Sequence, residues 1–304
     1  MTGSTGWDQH SALPVSEVSF TSFLTLYCHE IDARSRNPVL GDTKALEIAA
    51  ALDKMIAGTN DDLAHDLLSR RIRATLVTHV AMRARRYDDY VRDFLARFPG
   101  GVVVNIGCGL DPRFFRIDNG TLQYFDLDLP GIMAIRGRFF EETDRYHAIA
   151  ASVLDFAWMN TVTACQGPYL FLAEGVFMYL GQDEVRRLVL ELAQRFPGSE
   201  LVCEVVSSKW LRGLRKRILN YKLRKQLHFG REATYRSGLC GSREMEEWGS
   251  GIRFLDDWSY LDSYGKRLGW LRIFRNIGFM RYSQWTVHYR LGQEKNSSSS
   301  RNGS

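Results

Sequence analysis

Residues 102–109 read Val-Val-Val-Asn-Ile-Gly-Cys-Gly. A β-branched apolar run that stops at glycines predicts a buried parallel strand feeding a tight turn. Gly107 and Gly109 have no Cβ, so the backbone there can turn sharply and approach a ligand closely. A second strand is expected from Leu122 to Leu127, with Asp126 and Asp128 at its tip. Asp128 stands 19 residues after Gly109, about where an α/β nucleotide fold sets a carboxylate against ribose hydroxyls. The dinucleotide fingerprint wants a third glycine three positions beyond Gly109, and Pro112 stands there instead. A pyrophosphate needs that close helix–strand approach, whereas an adenosyl group without phosphates does not. The stretch therefore favours S-adenosylmethionine over a nicotinamide dinucleotide.

Downstream, Tyr146 to Leu154, Tyr169 to Ala173 and Glu200 to Val206 read as strands, with helices near Trp158 and from Asp183 to Phe196. This alternation predicts an α/β fold with a parallel, doubly wound sheet, which binds ligands at the carboxyl ends of its strands. Asp128, Asp155 and Glu174 all fall at such ends. Ile252 to Asp256 and the alternating Tyr282 to Leu291 read as further strands, and Trp270 to Asn276 as a helix. Upstream, Phe20 to Cys28 is apolar, and Asn37-Pro38 breaks the helix it belongs to, because the residue before proline disfavours helical angles. Thr43 to Ile56 is helical in pattern, and Leu63 to Val91 forms a longer amphipathic stretch whose arginines read as a solvated face.

At 304 residues and 45% apolar content the chain can bury a sizeable core. No stretch approaches the ~20 apolar residues of a membrane span, and the N-terminus lacks a basic-then-apolar signal pattern. Five scattered cysteines without a CxxC pair argue for a reduced, cytoplasmic protein with no disulfide framework and no zinc site. The histidines do not pair with carboxylates at ligand spacing, so no metal is expected. A net charge of +5 permits an acidic substrate and does not point to nucleic acid. The basic amphipathic run from Lys209 to Lys225 reads either as a solvated helix or as a cap that draws in an anionic acceptor. A single domain is expected over 20–292, with a cap insertion at about 207–250 and flexible termini at 1–19 and 293–304.

AMRARRYDD around Arg83, VVNIGCGLDPRFFRI, YFDLDLP, LAEGVFMYL, FLDDWSYLD and WTVHYRL together resemble the leucine carboxyl methyltransferases and the related O-methyltransferases of polyketide biosynthesis. The resemblance covers most of residues 20 to 292. It implies the seven-stranded class I methyltransferase sheet, a Rossmann-like fold, with N-terminal helices and an insertion after the fifth strand. It also implies that Arg83 holds the methionyl carboxylate of S-adenosylmethionine, and that Gly107 and Gly109 pass beneath its methionine and ribose. Asp128 would accept bonds from the ribose hydroxyls, Ser152, Val153 and Asp155 would edge the adenine, and Glu174 would sit near the methionine. Ser152-Val153 stands where the family often has Asp-Leu.

A carboxylate acceptor is already ionised near pH 7 and needs only an anion-holding group, for which Arg34 and the run at 209–225 are candidates. A phenol, with a pKa near 10, would want a base such as His29 or His79, and Tyr179 reads either as orienting the acceptor or as a packing residue. The expected activity is therefore S-adenosylmethionine-dependent O-methylation of a carboxylate on a small-molecule acid. Phenol or hydroxyl methylation, methylation of a protein C-terminal carboxyl, and NAD-linked oxidoreduction are the alternatives.

Overall fold

The computed structural model describes residues 17–57, 62–211, 234–262 and 281–292. Most of the basic run at 209–225, the helix expected at Trp270 to Asn276, and the outer parts of both termini lie outside the described residues. Two compact units are distinguished. One comprises the described residues of Met1–Arg85 and Gly109–Phe115, the other those of Arg86–Cys108 and Arg116–Ser304.

The second unit holds one sheet of seven strands. These are β1 (Val102–Ile106), β2 (Gln123–Asp128), β3 (Tyr146–Ala150), β4 (Tyr169–Ala173), β5 (Ser199–Val206), β6 (Arg253–Trp258) and β7 (Gln284–Leu291). Their order across the sheet is β3-β2-β1-β4-β5-β7-β6. β1 to β5 are parallel, whereas β7 lies antiparallel between β5 and β6. The expected parallel sheet is thus a mixed one. β7 joins the outer edge of β5 antiparallel and carries β6 beyond it, so the parallel, doubly wound pattern covers the first five strands only. The strand order reverses between β1 and β4, which makes their carboxyl ends the switch point where such sheets bind ligands.

All five residues of β1 are buried, as are all eight of β5; both are mainly apolar, as buried parallel strands are, and their polar members Asn105, Ser199, Glu200 and Glu204 are buried too. One face of the sheet carries Val102, Val104, Phe125, Phe171 and Leu201, and it packs with Val185, Leu188 and Leu192 of a helix over Gln182–Arg195. Asp126 of β2 is fully buried. It pairs with Arg136 and accepts bonds from the Tyr146 hydroxyl at 2.9 Å and from Asn105 Nδ2 at 3.0 Å.

A 24-residue helix, Ala74–Arg97, passes from the first unit into the second. Its second half presents Arg86, Tyr90 and Arg97 along one stripe, the i, i+4, i+11 spacing of a helix face. The Arg97 guanidinium grips Glu200 of β5 through two bonds of 2.7 and 2.8 Å. Tyr90 donates to Asp256 of β6 at 3.0 Å. Arg86 lies 3.6 Å from the same carboxylate, its guanidinium carbon 4.2 Å from the Tyr90 ring centre. His288 of β7 bonds Glu200 at 3.1 Å and sits 3.5 Å from Asp256. Burial alone would lower its pKa, but Asp256 and Glu200 outweigh burial, and the net shift is upward. Arg86 is therefore a packed ion-pair member, contrary to the expected solvated face.

In the first unit, helices Glu17–Ala33, Thr43–Ile56 and Asp62–Leu68 precede that long helix. The single helix expected from Leu63 to Val91 is two helices parted at Arg70, whose φ is +52°. A non-glycine residue in this left-handed region costs roughly 1–2 kcal/mol. The side chain of Arg70 compensates by bonding both oxygens of Asp53 (3.0 and 2.9 Å) and Glu30 (2.7 Å). Its guanidinium carbon also stacks 3.7 Å from the Tyr27 ring centre.

Candidate cofactor site

In the sheet unit, β1 ends at Ile106 and Gly107 takes φ +68°. Its N–H and that of Cys108 both reach the Leu127 carbonyl, at 2.7 and 3.3 Å, so the turn is pinned to β2. A Cβ at Gly107 would lie 2.3 Å from Val176 Cγ2. The position is thus closed to every side chain, as a backbone cradle requires. Asp128 ends β2 and accepts the N–H of Leu129 at 2.7 Å. Glu174 directly follows β4. Burial holds the Tyr87 phenol well above its usual pKa, and the Glu204 and Glu174 carboxylates push it the same way.

The stretch expected as strand to Leu154 leaves the sheet at Ala150. Ser152 to Asp155 form a turn, in which Asp155 N–H donates to the Ser152 carbonyl at 3.0 Å and Leu154 N–H to the Ser152 hydroxyl at 3.3 Å. The two short-range side-chain bonds offered by Ser152 and Asp155 compete with the ladder and end the strand early. Ala151 N–H donates to the Asp128 carbonyl at 3.0 Å, so this turn and the end of β2 share a backbone bond. Gly107, Asp128, Ser152, Val153, Asp155 and Glu174 therefore all lie at or just beyond the carboxyl ends of β1 to β4. Tyr179 lies in a short 3-10 turn, Phe177–Tyr179, with its ring edge-on to Tyr235 at 5.4 Å.

The other predicted residues belong to the first unit. Gly109 has φ +52°, and a Cβ there would meet Ser22 Oγ at 3.1 Å. Arg83 is half-buried on the Ala74–Arg97 helix. Burial pushes the Cys28 thiol up to about 12, while the charge of Arg83 pulls it down. Arg34 follows the first helix, is 63% exposed and bonds Glu30 at 3.0 Å.

Linear reading misses one cluster in this unit. His29 Nδ1 is 3.1 Å from Asp42 and 3.9 Å from Asp111, and the three residues could offer ligand atoms within 4.8 Å of one another. The other Asp42 oxygen caps the Thr43–Ile56 helix through Ala45 N–H at 3.1 Å. Arg113, fully buried, lies 2.9 Å from Asp111. Its guanidinium already supplies the positive charge that a metal would bring. No local spacing could reveal the cluster, because its members are far apart in sequence.

The carboxyl ends of β1, β2 and β4 thus offer a side-chain-free turn and a terminal carboxylate suited to a diol. That set fits an adenosyl cofactor. Among the described residues, no helix is long and apolar enough to cross a membrane.

Comparison with known proteins agrees. The family model for leucine carboxyl methyltransferase matches residues 27–193. A tetracenomycin polyketide synthesis O-methyltransferase of Streptomyces glaucescens is 31% identical over 80% of this chain and 83% of its own length. An S-adenosyl-L-methionine-dependent methyltransferase of Gibberella zeae is 27% identical over 83% and 87% respectively. Among solved structures, a duf574 family protein of Streptomyces avermitilis shares the fold, with a TM-score of 0.51 at 10% identity, over 88% of this chain and 97% of that one.

Proposed function

The chain belongs to the leucine carboxyl methyltransferase family of S-adenosylmethionine-dependent methyltransferases, and from that premise we propose that it methylates an oxygen, that of a carboxylate on a small-molecule acid. The observation that supports the cofactor part of this reading is the set of groups at the strand ends: the Gly107 cradle closed by Val176, Asp128 at the tip of β2, and Glu174 after β4. The Streptomyces relative, by its name a polyketide synthesis O-methyltransferase, supports an oxygen acceptor on a small molecule.

In this reading Asp128 accepts bonds from the ribose hydroxyls and the Ser152, Val153 and Asp155 turn edges the adenine. The backbone at Gly107 passes beneath the methionine and ribose, and Glu174 lies by the methionine. The assignments of Gly109 to that cradle, of Arg83 to the methionyl carboxylate and of Arg34 to an anionic acceptor rest on family resemblance. Tyr179 is assigned to acceptor orientation on the same ground. Bound S-adenosylmethionine supplies a methyl group on a sulfonium. A carboxylate acceptor is ionised near pH 7, so the protein has to align it and exclude water rather than remove a proton. Such alignment can supply several kcal/mol of the barrier.

The test has two stages. Calorimetric titration should find binding of S-adenosylhomocysteine and none of NAD. Transfer of labelled methyl to a panel of aromatic carboxylic acids and phenols should then give an alkali-labile product, since methyl esters hydrolyse in base and aryl methyl ethers survive. An alkali-stable product would move the reading to phenols.

A further inference from the structure

The turn after β3 is built by its own side chains and by one indole from beyond it. Within the turn, Ser152 accepts from Leu154 and Asp155, and Asp155 Oδ1 accepts the Ala157 N–H at 3.2 Å. At Val153 the carbonyl takes a bond of 3.1 Å from the indole N–H of Trp158. Trp158 begins a short helix, Trp158–Val162, and is 3% exposed. Its ring stands edge-on to Phe171 of β4, with centres 6.4 Å apart. A buried tryptophan needs a partner for its one donor. Here the partner is a carbonyl in the middle of the stretch assigned to adenine.

A purine is read largely by its edges, so the backbone that reads it has to be held to within about half an ångström. Ser152 and Asp155 shape the turn but do not tie it to the core. Trp158 does, because its ring is fixed against Phe171 while its N–H holds the Val153 carbonyl. The stem of the turn is separately tied to Asp128 through Ala151. The ribose-facing and adenine-facing parts therefore have different anchors.

We propose that Trp158 is a positioning residue for adenine recognition, its indole N–H fixing the Ser152–Asp155 turn against the sheet. The proposal rests on the assignment of that turn to adenine. Trp158→Phe keeps an aromatic ring against Phe171 and removes only the donor. Affinities would be measured by calorimetry for S-adenosylhomocysteine, for adenosine, and for S-ribosylhomocysteine, which has the same ribose and homocysteine without the base. The expected result is about tenfold weaker binding of both adenine ligands, with S-ribosylhomocysteine within about twofold of wild type. Equal weakening of all three ligands would make Trp158 a general packing residue and overturn the proposal, as would unchanged adenosine binding. Ser152→Ala tests the underlying assignment separately. If it and Trp158→Phe both leave adenosine binding unchanged while S-adenosylhomocysteine still binds, adenine is read elsewhere and the assignment itself fails. If Trp158→Phe does not fold, 3-benzothienylalanine at position 158 replaces the N–H by sulfur at nearly constant shape, and the same three affinities decide.

Discussion

Gly107 and Val176 occupy one another's space: a Cβ on the glycine would fall 2.3 Å from Val176 Cγ2. The first residue ends the β1 strand motif and the second belongs to Glu-Gly-Val-Phe after β4, so two sequence signatures 69 positions apart are one packing unit. Gly107→Ala should destabilise by roughly 2–4 kcal/mol, combining a left-handed φ penalty with overpacking. Val176→Ala in the same chain should recover the steric part and leave the φ part. Chemical denaturation of the two single variants and the double variant measures this; additive losses would show that the two residues do not interact.

Asp126 and Asp128 should fail in different ways. Asp128→Ala is expected to weaken S-adenosylhomocysteine by about ten- to a hundredfold, the 1.5–3 kcal/mol of charge-assisted bonds, and to shift Tm by no more than about 2 °C. Asp126→Ala strands the buried Arg136 and should cost roughly 3–5 kcal/mol of stability. Calorimetry and thermal unfolding on both variants test the pair. A stable Asp126→Ala protein would contradict the buried network.

On the proposed assignment of Arg83 to the methionyl carboxylate, Arg83→Lys replaces a two-bond grip by a point charge. S-adenosylmethionine should bind about tenfold more weakly, while adenosine, which lacks the carboxylate, should bind as before. Arg73→Lys, at an exposed arginine, is the proper comparison, within about 0.5 kcal/mol. Arg86 cannot serve, because it stacks on Tyr90 and faces Asp256. Loss of adenosine affinity in Arg83→Lys would make Arg83 structural.

His288 predicts a pH dependence of stability. Its pKa is raised in the folded protein by Asp256 and Glu200 against the opposing effect of burial. Protonation thus favours the folded state, fully so below the unfolded value near 6.5, and the contribution disappears as pH rises through the folded value. Tm should therefore fall from about pH 6 toward pH 9 more steeply in wild type than in His288→Gln. Parallel curves for the two proteins would remove His288 from the ledger.

What the sequence makes legible is local. Tyr169–Ala173 and Thr43–Ile56 are strand and helix with the expected bounds, because their patterns and end signals lie within the segment. The left-handed Arg70 is not legible, since its partners Asp53 and Glu30 are 17 and 40 residues away. Tyr90 meets Asp256 across 166 residues, so arginine spacing on the long helix cannot tell a packed face from a wet one. In the same way, alternation separates Asp126 from Asp128 by face, while the identity of Arg136 and Tyr146 as partners is invisible to it. The placement of β7 between β5 and β6 is also beyond a linear reading.

That placement bears on how the chain acquires its shape. β7 comes after the other six strands of this sheet in the order of synthesis, yet both its edges are paired, to β5 and to β6. Until residues 284–291 have left the ribosome, the backbone donors and acceptors along one side of β5 have no strand to meet, and β6 has nothing to join. The parallel part of the sheet can assemble earlier in translation; the antiparallel part waits for residues 284–291. An unpaired strand edge invites pairing with other chains, so the nascent protein is most open to aggregation in the interval between β5 and β7. Pairing of β7 with β5 and β6 closes it.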